Sequence, residues 1–186
     1  LSFILLYKIG DTMASAMTTP FYLDIGFSKT EIGAVVKLFG FWATIAGGLA
    51  GGMIMIRWGI HRSLWIFGFL QAFSTVCFAL LARIGYSLPA LSGVIAFENL
   101  SSGMGTAAYA AFMASITNKK FTATQYALLS SIMGLPRVFA AAPTGFIAKQ
   151  IGWEAFFVFC TLIAAPGMLL LLKFARWRPG AVRSEA

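Results

Sequence analysis

Six long apolar stretches, separated by short polar gaps, restrict what this chain can fold into more than any other feature. They cover residues 2–23, 30–56, 63–82, 89–117, 123–148 and 153–173. Each is long enough for a helix to cross about 30 Å of hydrocarbon. Helices are the open-chain solution in lipid, because an uncovered sheet edge leaves backbone groups without hydrogen bonds. The sequence therefore predicts an all-α membrane protein in which residues 1–178 form one bundle of six transmembrane helices.

The composition excludes most classes of water-soluble protein. Hydrophobic residues fill 59% of the 186 positions and charged residues only 11%, against roughly a quarter charged in an average soluble domain. This balance excludes a soluble enzyme, a disordered protein and a secreted disulfide scaffold. The sequence also has no phosphate-binding glycine loop, zinc signature or nucleophile elbow. We therefore expect no enzymatic activity, no metal and no other cofactor.

Basic residues in the gaps predict the orientation in the membrane. Because successive helices alternate in direction, the gaps fall on two sides. One side carries eight Lys and Arg residues and the other carries three: Arg57, Arg62, Lys119, Lys120, Lys173, Arg176, Arg178 and Arg183, against Lys29, Arg83 and Lys149. The positive-inside rule makes the first side cytoplasmic, with both ends of the chain on it and residues 179–186 as a tail. The net charge of +8 then requires no nucleic-acid partner.

Charged residues inside the apolar stretches are the candidates for function. Each costs at least about 2.5–3.5 kcal/mol at the bilayer centre, so each needs a partner or a role. There are five of them: Lys8, Asp11, Lys37, Glu98 and Arg137. The third and sixth stretches have none in their interiors. We therefore expect the other four helices to surround a shared polar interior, with the five charged residues on one concave side of the bundle. We expect the third and sixth helices to face lipid on all sides.

Two interpretations of these charges remain open. Lys8 and Asp11 are three residues apart, so they share a helix face and can neutralise each other. The five can also form a purely structural network of ion pairs. Three cations against two anions leave one positive charge, however, and an unpaired buried cation is costly. Either a part of the protein outside this chain or an anionic substrate would then supply the missing negative charge.

Shorter patterns predict local structure. Ser28 and Glu31 have the spacing of a capping box at the start of the second helix. Gly47, Gly48, Gly51 and Gly52 give overlapping small-residue spacings, which are typical of close packing between transmembrane helices. In the fourth stretch, Glu98 is followed by Asn99, serines and glycines. This polar, glycine-rich patch indicates a place where that helix approaches a neighbour closely or bends.

Several segments resemble a known family. Gly52, Arg57, Gly59 and Arg62 are similar to a loop signature of the major facilitator superfamily. Within that superfamily, three segments resemble the AmpG muropeptide permeases: Leu6–Asp11, Phe97–Thr106 and, most specifically, Asn118–Ser130. The likeness runs nearly from end to end. It corresponds to the C-terminal six-helix half of that family, and Lys37 and Arg137 fall where the family has basic residues.

The resemblance implies a function and a partner. Such permeases import anhydro-muropeptides across the bacterial inner membrane for cell-wall recycling, driven by the proton gradient. In this fold the first, second, fourth and fifth helices line the cavity. The first residue is Leu1 rather than Met, and we expect an N-terminal six-helix half of the same transporter to complete the protein, with membrane lipid around it.

Roles for single residues follow from this expectation. The candidates for binding an anionic sugar-peptide are Lys8, Lys37, Asn99, Gln125 and Arg137, and the candidates for proton coupling are Glu98 and Asp11. Other functions stay open at this point. One is transport of another anionic solute, such as an acetyl-coenzyme A-like substrate, and another is a six-helix membrane interaction protein that transports nothing.

Overall fold

The chain is helical wherever the structure describes regular secondary structure. The computed structural model describes residues 2–116, 127–128, 130–131, 134, 138–139 and 141–175. Its helices are α1 Ser2–Ile25, α2 Lys29–Val35, α3 Phe41–Trp58, α4 Ile60–Ile84, α5 Leu88–Ile116, α6 Thr144–Ile151 and α7 Trp153–Ala175. A π-helical segment, Val36–Gly40, joins α2 to α3. The predicted all-α fold class is confirmed for these residues.

Local chemistry sets where the helices begin and end. Ser28 and Glu31 form the predicted capping box: the Ser28 hydroxyl accepts from the Glu31 amide at 3.2 Å, and the Glu31 carboxylate accepts from the Ser28 amide at 2.8 Å. Gly59 and Gly85 follow α3 and α4 with φ angles of 79° and 76°. Residues with a Cβ are strained at such angles, so glycine allows the chain to turn there.

Two of the described helical stretches are long and apolar enough to cross a membrane. They are Lys29–Trp58, with a mean hydropathy of 1.6, and Ile60–Ile84, with 1.9. The first comprises α2, the π-helical segment and α3, and the second is α4. Trp153–Pro166, within α7, is a shorter apolar helix.

The helices pack in two groups that share α4. α5 lies against α3 and α4, while α7 lies against α1 and α4. Aromatic rings fill the second group, where the Phe157 ring centroid lies 4.8 Å from that of Phe21 and 5.2 Å from that of Phe78. In the first group, Leu64 and Phe67 of α4 pack with Tyr109 of α5. α4 is therefore the central helix of the described part.

A seam of glycines brings α3 into backbone contact with α5. A Cβ on Gly51 would lie 2.9 Å from the Met104 Cα, and one on Gly47 would overlap the Leu100 carbonyl. From the α5 side, a Cβ on Gly103 would lie 2.5 Å from the Thr44 carbonyl oxygen. The predicted close packing is confirmed for Gly47 and Gly51. Gly48 takes part through its backbone, because a Cβ on Gly103 would lie 3.0 Å from the Gly48 nitrogen. At Gly52 the structure shows no such contact within the described residues, because an added Cβ there would meet nothing within 4 Å.

The expectation that the third and sixth helices face lipid on all sides is wrong. α4, the third, buries Ser63, Gln71, Ser74 and Thr75 among its core residues. α7, the sixth, buries Phe156, Phe157 and Cys160. α3 is more open, with Leu49 66% and Met53 63% exposed. Charge was a poor guide here, because uncharged polar and aromatic side chains bury well without an ion pair.

Candidate functional site

The polar residues of α5 form a patch on the helix that packs against α3. This α5 polar patch consists of Glu98, Asn99, Ser101 and Ser102. Ser101 is fully buried, and its hydroxyl lies 2.9 Å from the carbonyl oxygens of both Phe97 and Glu98. The glycine seam brings the two helices close here because Gly47 and Gly103 flank the contact. Of the patch residues, Asn99 reaches α3 at this close approach through its contact with Thr44.

Asn99 is the best-connected member of the patch. Its Nδ2 donates to the Ile95 carbonyl at 2.9 Å and to Glu98 Oε2 at 3.1 Å. Its Oδ1 accepts from the Thr44 hydroxyl of α3 at 3.0 Å. The side-chain amide therefore links the carboxylate on its own helix to the neighbouring helix.

Glu98 is half-buried, and its Oε2 accepts a hydrogen bond from the Asn99 side chain. The buried Tyr22 of α1 lies close enough to interact electrostatically with this carboxylate. Phe97, the preceding residue, meets Phe73 of α4 edge to face, with ring centroids 5.9 Å apart. Glu98 thus lies in a half-buried position on α5 and interacts with Tyr22 of α1.

Lys37 lies in the π-helical segment and its side chain is exposed. It makes no ion pair within the described residues. Single π-helical turns within α-helices occur frequently at functional sites. The segment packs against α5, and its last residue, Gly40, reaches Asn99: a Cβ there would lie 3.3 Å from Nδ2.

The other predicted site residues are only partly described. Asp11 is half-buried in α1, next to Gly10, whose backbone packs on the Cys160 carbonyl of α7. Lys8 lies in the same helix, but its side chain is outside the described part. Gln125 and Arg137 also lie outside the described residues. The convergence of all five charges on one concave surface stays a prediction.

Residues that the sequence interpretation missed complete the surroundings of the patch. They are Thr44 of α3, which bonds to Asn99, and Tyr22 of α1, which interacts with Glu98. Gln71 of α4 lies further along α5, where its side-chain oxygen would be 2.8 Å from a Cβ on Gly105. The sequence could have indicated Thr44, since it is the only Ser or Thr between Thr30 and Ser63. A lone hydroxyl in an apolar helix tends to hydrogen-bond within the helix or to a neighbour. Tyr22 and Gln71 stand among other polar residues and had no comparable signal.

A second set of polar contacts ties together the end of the bundle formed by the α1–α2, α4–α5 and α6–α7 turns. Tyr86 donates to Glu31 at 2.5 Å, and Arg83 pairs with Glu154 at 2.5 Å. The indole of Trp153 donates to Asp24, also at 2.5 Å. The bond to Glu31 raises the pKa of Tyr86, because the phenol must stay protonated to donate. These contacts join turns that are distant in the sequence.

A cavity of about 400 Å³ opens at this same end. Its lining comes from α1, α6, the turn after α6, and the start of α7. The lining residues are Met17, Pro20, Asp24, Gly145, Ala148, Lys149, Gly152 and Trp153. None of the predicted site residues lines it, so it lies apart from the α5 polar patch.

Comparison with known proteins identifies the family. The chain matches the model of the Major Facilitator Superfamily over residues 1–185. It is 41% identical over 170 residues to the anhydromuropeptide permease of Escherichia coli K12. These aligned residues are 91% of this chain and 35% of the permease. An uncharacterized protein of Haemophilus influenzae is 43% identical over 182 residues, or 94% of this chain and 43% of that protein.

A putative transporter named AmpG 1, from Rickettsia prowazekii, is 40% identical over 173 residues, which are 93% of this chain and 39% of the relative. The chain thus spans about two fifths of the length of these relatives. The family match covers nearly the whole chain, and the relatives named as permeases or transporters match it at about 40% identity. The chain belongs to the major facilitator superfamily, and within it the chain is similar to the AmpG anhydromuropeptide permeases.

Proposed function

We propose that this chain is the C-terminal half of a proton-coupled permease that imports anhydro-muropeptides across the bacterial inner membrane. It works by alternating access with an N-terminal six-helix half of the same transporter, and both ends of this segment lie in the cytoplasm. The observation that carries the proposal is the 41% identity, over 91% of the chain, to the anhydromuropeptide permease of Escherichia coli K12.

The surface of the described helices supports a place in the membrane. Large apolar side chains stand exposed along α3 and α4, among them Leu49 at 66%, Met53 at 63% and Phe69 at 61%. Soluble monomers rarely expose contiguous apolar surface of this kind. Lipid and a second helical bundle can each cover such a surface without exposing it to water.

The chemistry of the substrate fits the candidate residues. A muropeptide offers carboxylates on its peptide and hydroxyl and amide groups on its sugars. Lysine and arginine bind carboxylates through charge-assisted hydrogen bonds, which suits Lys8, Lys37 and Arg137. Side-chain amides both donate and accept, which suits Asn99 and Gln125 for the neutral groups of the substrate.

Proton coupling would need a carboxyl whose protonation changes as the cavity opens to either side. Glu98 and Asp11 are the candidates, because desolvation favours the neutral form of a carboxyl and nearby cations favour the charged form. Glu98 is our first choice. It is half-buried and accepts a hydrogen bond from the Asn99 amide. Asp11 has Lys8 one helical turn away on its own helix, and a nearby cation favours the charged form.

The test is uptake of labelled anhydro-muropeptide by cells that lack their own permease and express the full reading frame containing this chain. Lys37→Gln removes an exposed charge from the π-helical segment, and Lys29→Gln, eight residues earlier and also exposed, is the matched control. We expect uptake by the wild type and the Lys29 variant and a marked loss in the Lys37 variant.

Competition with unlabelled solutes separates the remaining functions. Excess unlabelled muropeptide should abolish the signal, and excess acetyl-coenzyme A should leave it unchanged. Uptake of acetyl-coenzyme A instead would assign a different anionic substrate. Absence of uptake of either solute by well-expressed protein would favour an interaction protein and overturn the proposal.

A further inference from the structure

Thr44 occupies an unusual position between two acceptors. Its Oγ1 lies 2.8 Å from the Gly40 carbonyl, one turn back in the same stretch, and 3.0 Å from Asn99 Oδ1 on α5. A hydroxyl has one hydrogen to donate. That hydrogen is therefore shared between the last residue of the π-helical segment and the amide of the α5 polar patch.

The partners of Asn99 on its own helix show which end of its amide is the nitrogen. The Ile95 carbonyl can only accept a hydrogen bond, and it lies 2.9 Å from Nδ2. The NH2 group must therefore point toward Ile95, where it also reaches Glu98 at 3.1 Å. Oδ1 is then left to face Thr44, so the three bonds support one another.

The backbone at Gly40 makes this contact possible. A side chain there would press on Asn99 Nδ2, at 3.3 Å from the added Cβ, and on the Ile95 side chain at 3.5 Å. Thr44 then bonds both to this close-packed glycine and to the amide beside it. The arrangement connects Asn99 and Glu98 to the segment that carries Lys37.

We propose that Thr44 is a positioning residue of the transport site: its hydroxyl holds the Asn99 amide in the orientation that donates to Glu98. The inference rests on the proposed function, in which Asn99 and Glu98 take part in transport. When the hydroxyl is lost, Oδ1 loses this partner, and the amide is held only at its Nδ2 end, so its bond to the carboxylate is less firmly positioned. Since one neutral hydrogen bond of this kind changes an equilibrium about fivefold, we expect a loss of transport rate of that order.

The experiment compares three variants of the full-length protein in the muropeptide uptake assay. Thr44→Val keeps the shape and removes the donor, and Thr44→Ser restores the donor. Thr161→Val is the matched control, because Thr161 makes the same bond to a carbonyl four residues back, Phe157 at 2.9 Å, and has no side-chain partner across a helix interface in the described part. Each rate is divided by the amount of folded protein in the membrane, and thermal unfolding midpoints are measured in parallel.

We expect Thr44→Val to lower the rate about fivefold, Thr44→Ser to recover most of it, and Thr161→Val to stay near the wild type. Should Thr44→Val fail to reach the membrane, Thr44→Ala takes its place with the same expected loss. Equal rates in Thr44→Val and Thr161→Val, or a Thr44→Ser variant as slow as Thr44→Val, would overturn the role of Thr44 and leave the proposed function standing. If the wild type itself takes up no muropeptide, the proposed function is what fails.

Discussion

At the scale of single residues, the main question is how a carboxylate-bearing substrate is held by cations inside a membrane. Arg137 is the strongest of our candidates, because a guanidinium binds a carboxylate through two parallel hydrogen bonds and keeps its charge at any physiological pH. Arg137→Lys keeps the charge and removes the two-pronged geometry. We therefore expect uptake efficiency to fall by about tenfold, the order expected for one charge-assisted hydrogen bond.

The measurement is the concentration dependence of labelled muropeptide uptake in proteoliposomes, for the wild type and Arg137→Lys at equal protein density. Lys149→Arg is a suitable control, since Lys149 is exposed and lines the cavity beside the α6–α7 turn, apart from the α5 polar patch. Wild-type kinetics in Arg137→Lys would remove Arg137 from the set of binding residues.

Single residues also show where sequence interpretation succeeds and where it stops. The Ser28–Glu31 capping box was predictable, because both partners lie within one helical turn and the pattern is local. The Thr44–Asn99 bond joins positions 55 residues apart. It depends on which faces of two helices meet, and hydropathy and charge leave that undetermined.

At the scale of helices, the α3–α5 seam makes a sharp prediction about packing. Gly47→Ala places a methyl group on the Leu100 carbonyl, and the helices must move apart. Overpacking of this kind costs about 1–3 kcal/mol. We expect a lower thermal unfolding midpoint in detergent and reduced uptake.

Gly52→Ala is the matched control for that variant. It lies five residues further along the same helix, and an added Cβ meets nothing within 4 Å in the part of the chain that the structure describes. Alanine is favoured over glycine in a helix by about 1 kcal/mol, so this variant should be at least as stable as the wild type. The same unfolding midpoint in both variants would contradict the close backbone contact between α3 and α5 at Gly47.

The helices also show why the positions of charged residues alone predict the wrong helices to be exposed to lipid. The pattern of charged residues separated α4 and α7 from the others, yet α4 is the central helix of the described part and buries Gln71, Ser74 and Thr75. Charge reports where an ion must be compensated. It does not report where neutral side chains pack, which depends on shape and on hydrogen bonds to the helix backbone, such as that from Thr75 to the Gln71 carbonyl at 3.1 Å.

At the scale of the whole molecule, the distribution of basic residues predicts the orientation. In a variant of the full-length protein with its native cysteines, Cys77 and Cys160 among them, replaced by alanine, Arg62→Cys should lie on the cytoplasmic side and Lys29→Cys on the periplasmic side. Both native side chains are exposed, so a membrane-impermeant maleimide can reach either position from its own side.

We expect the reagent to label Lys29→Cys in spheroplasts and Arg62→Cys only after the membrane is permeabilised. The reverse pattern would invert the proposed orientation of the bundle. Labelling of both in intact spheroplasts would mean that the segment between them, Lys29–Trp58 and the turn after it, does not cross the membrane.

The central claim is that this chain forms part of a proton-coupled muropeptide permease, and one measurement in proteoliposomes tests it most directly. The reconstituted full-length protein is given labelled anhydro-muropeptide and an imposed pH gradient, acidic on the side of entry. The account predicts that the wild type concentrates the substrate above its external level. Glu98→Gln, which mimics the permanently protonated carboxyl, should lose accumulation and retain exchange of labelled for unlabelled substrate. No accumulation by the wild type, with or without the gradient, would contradict the account.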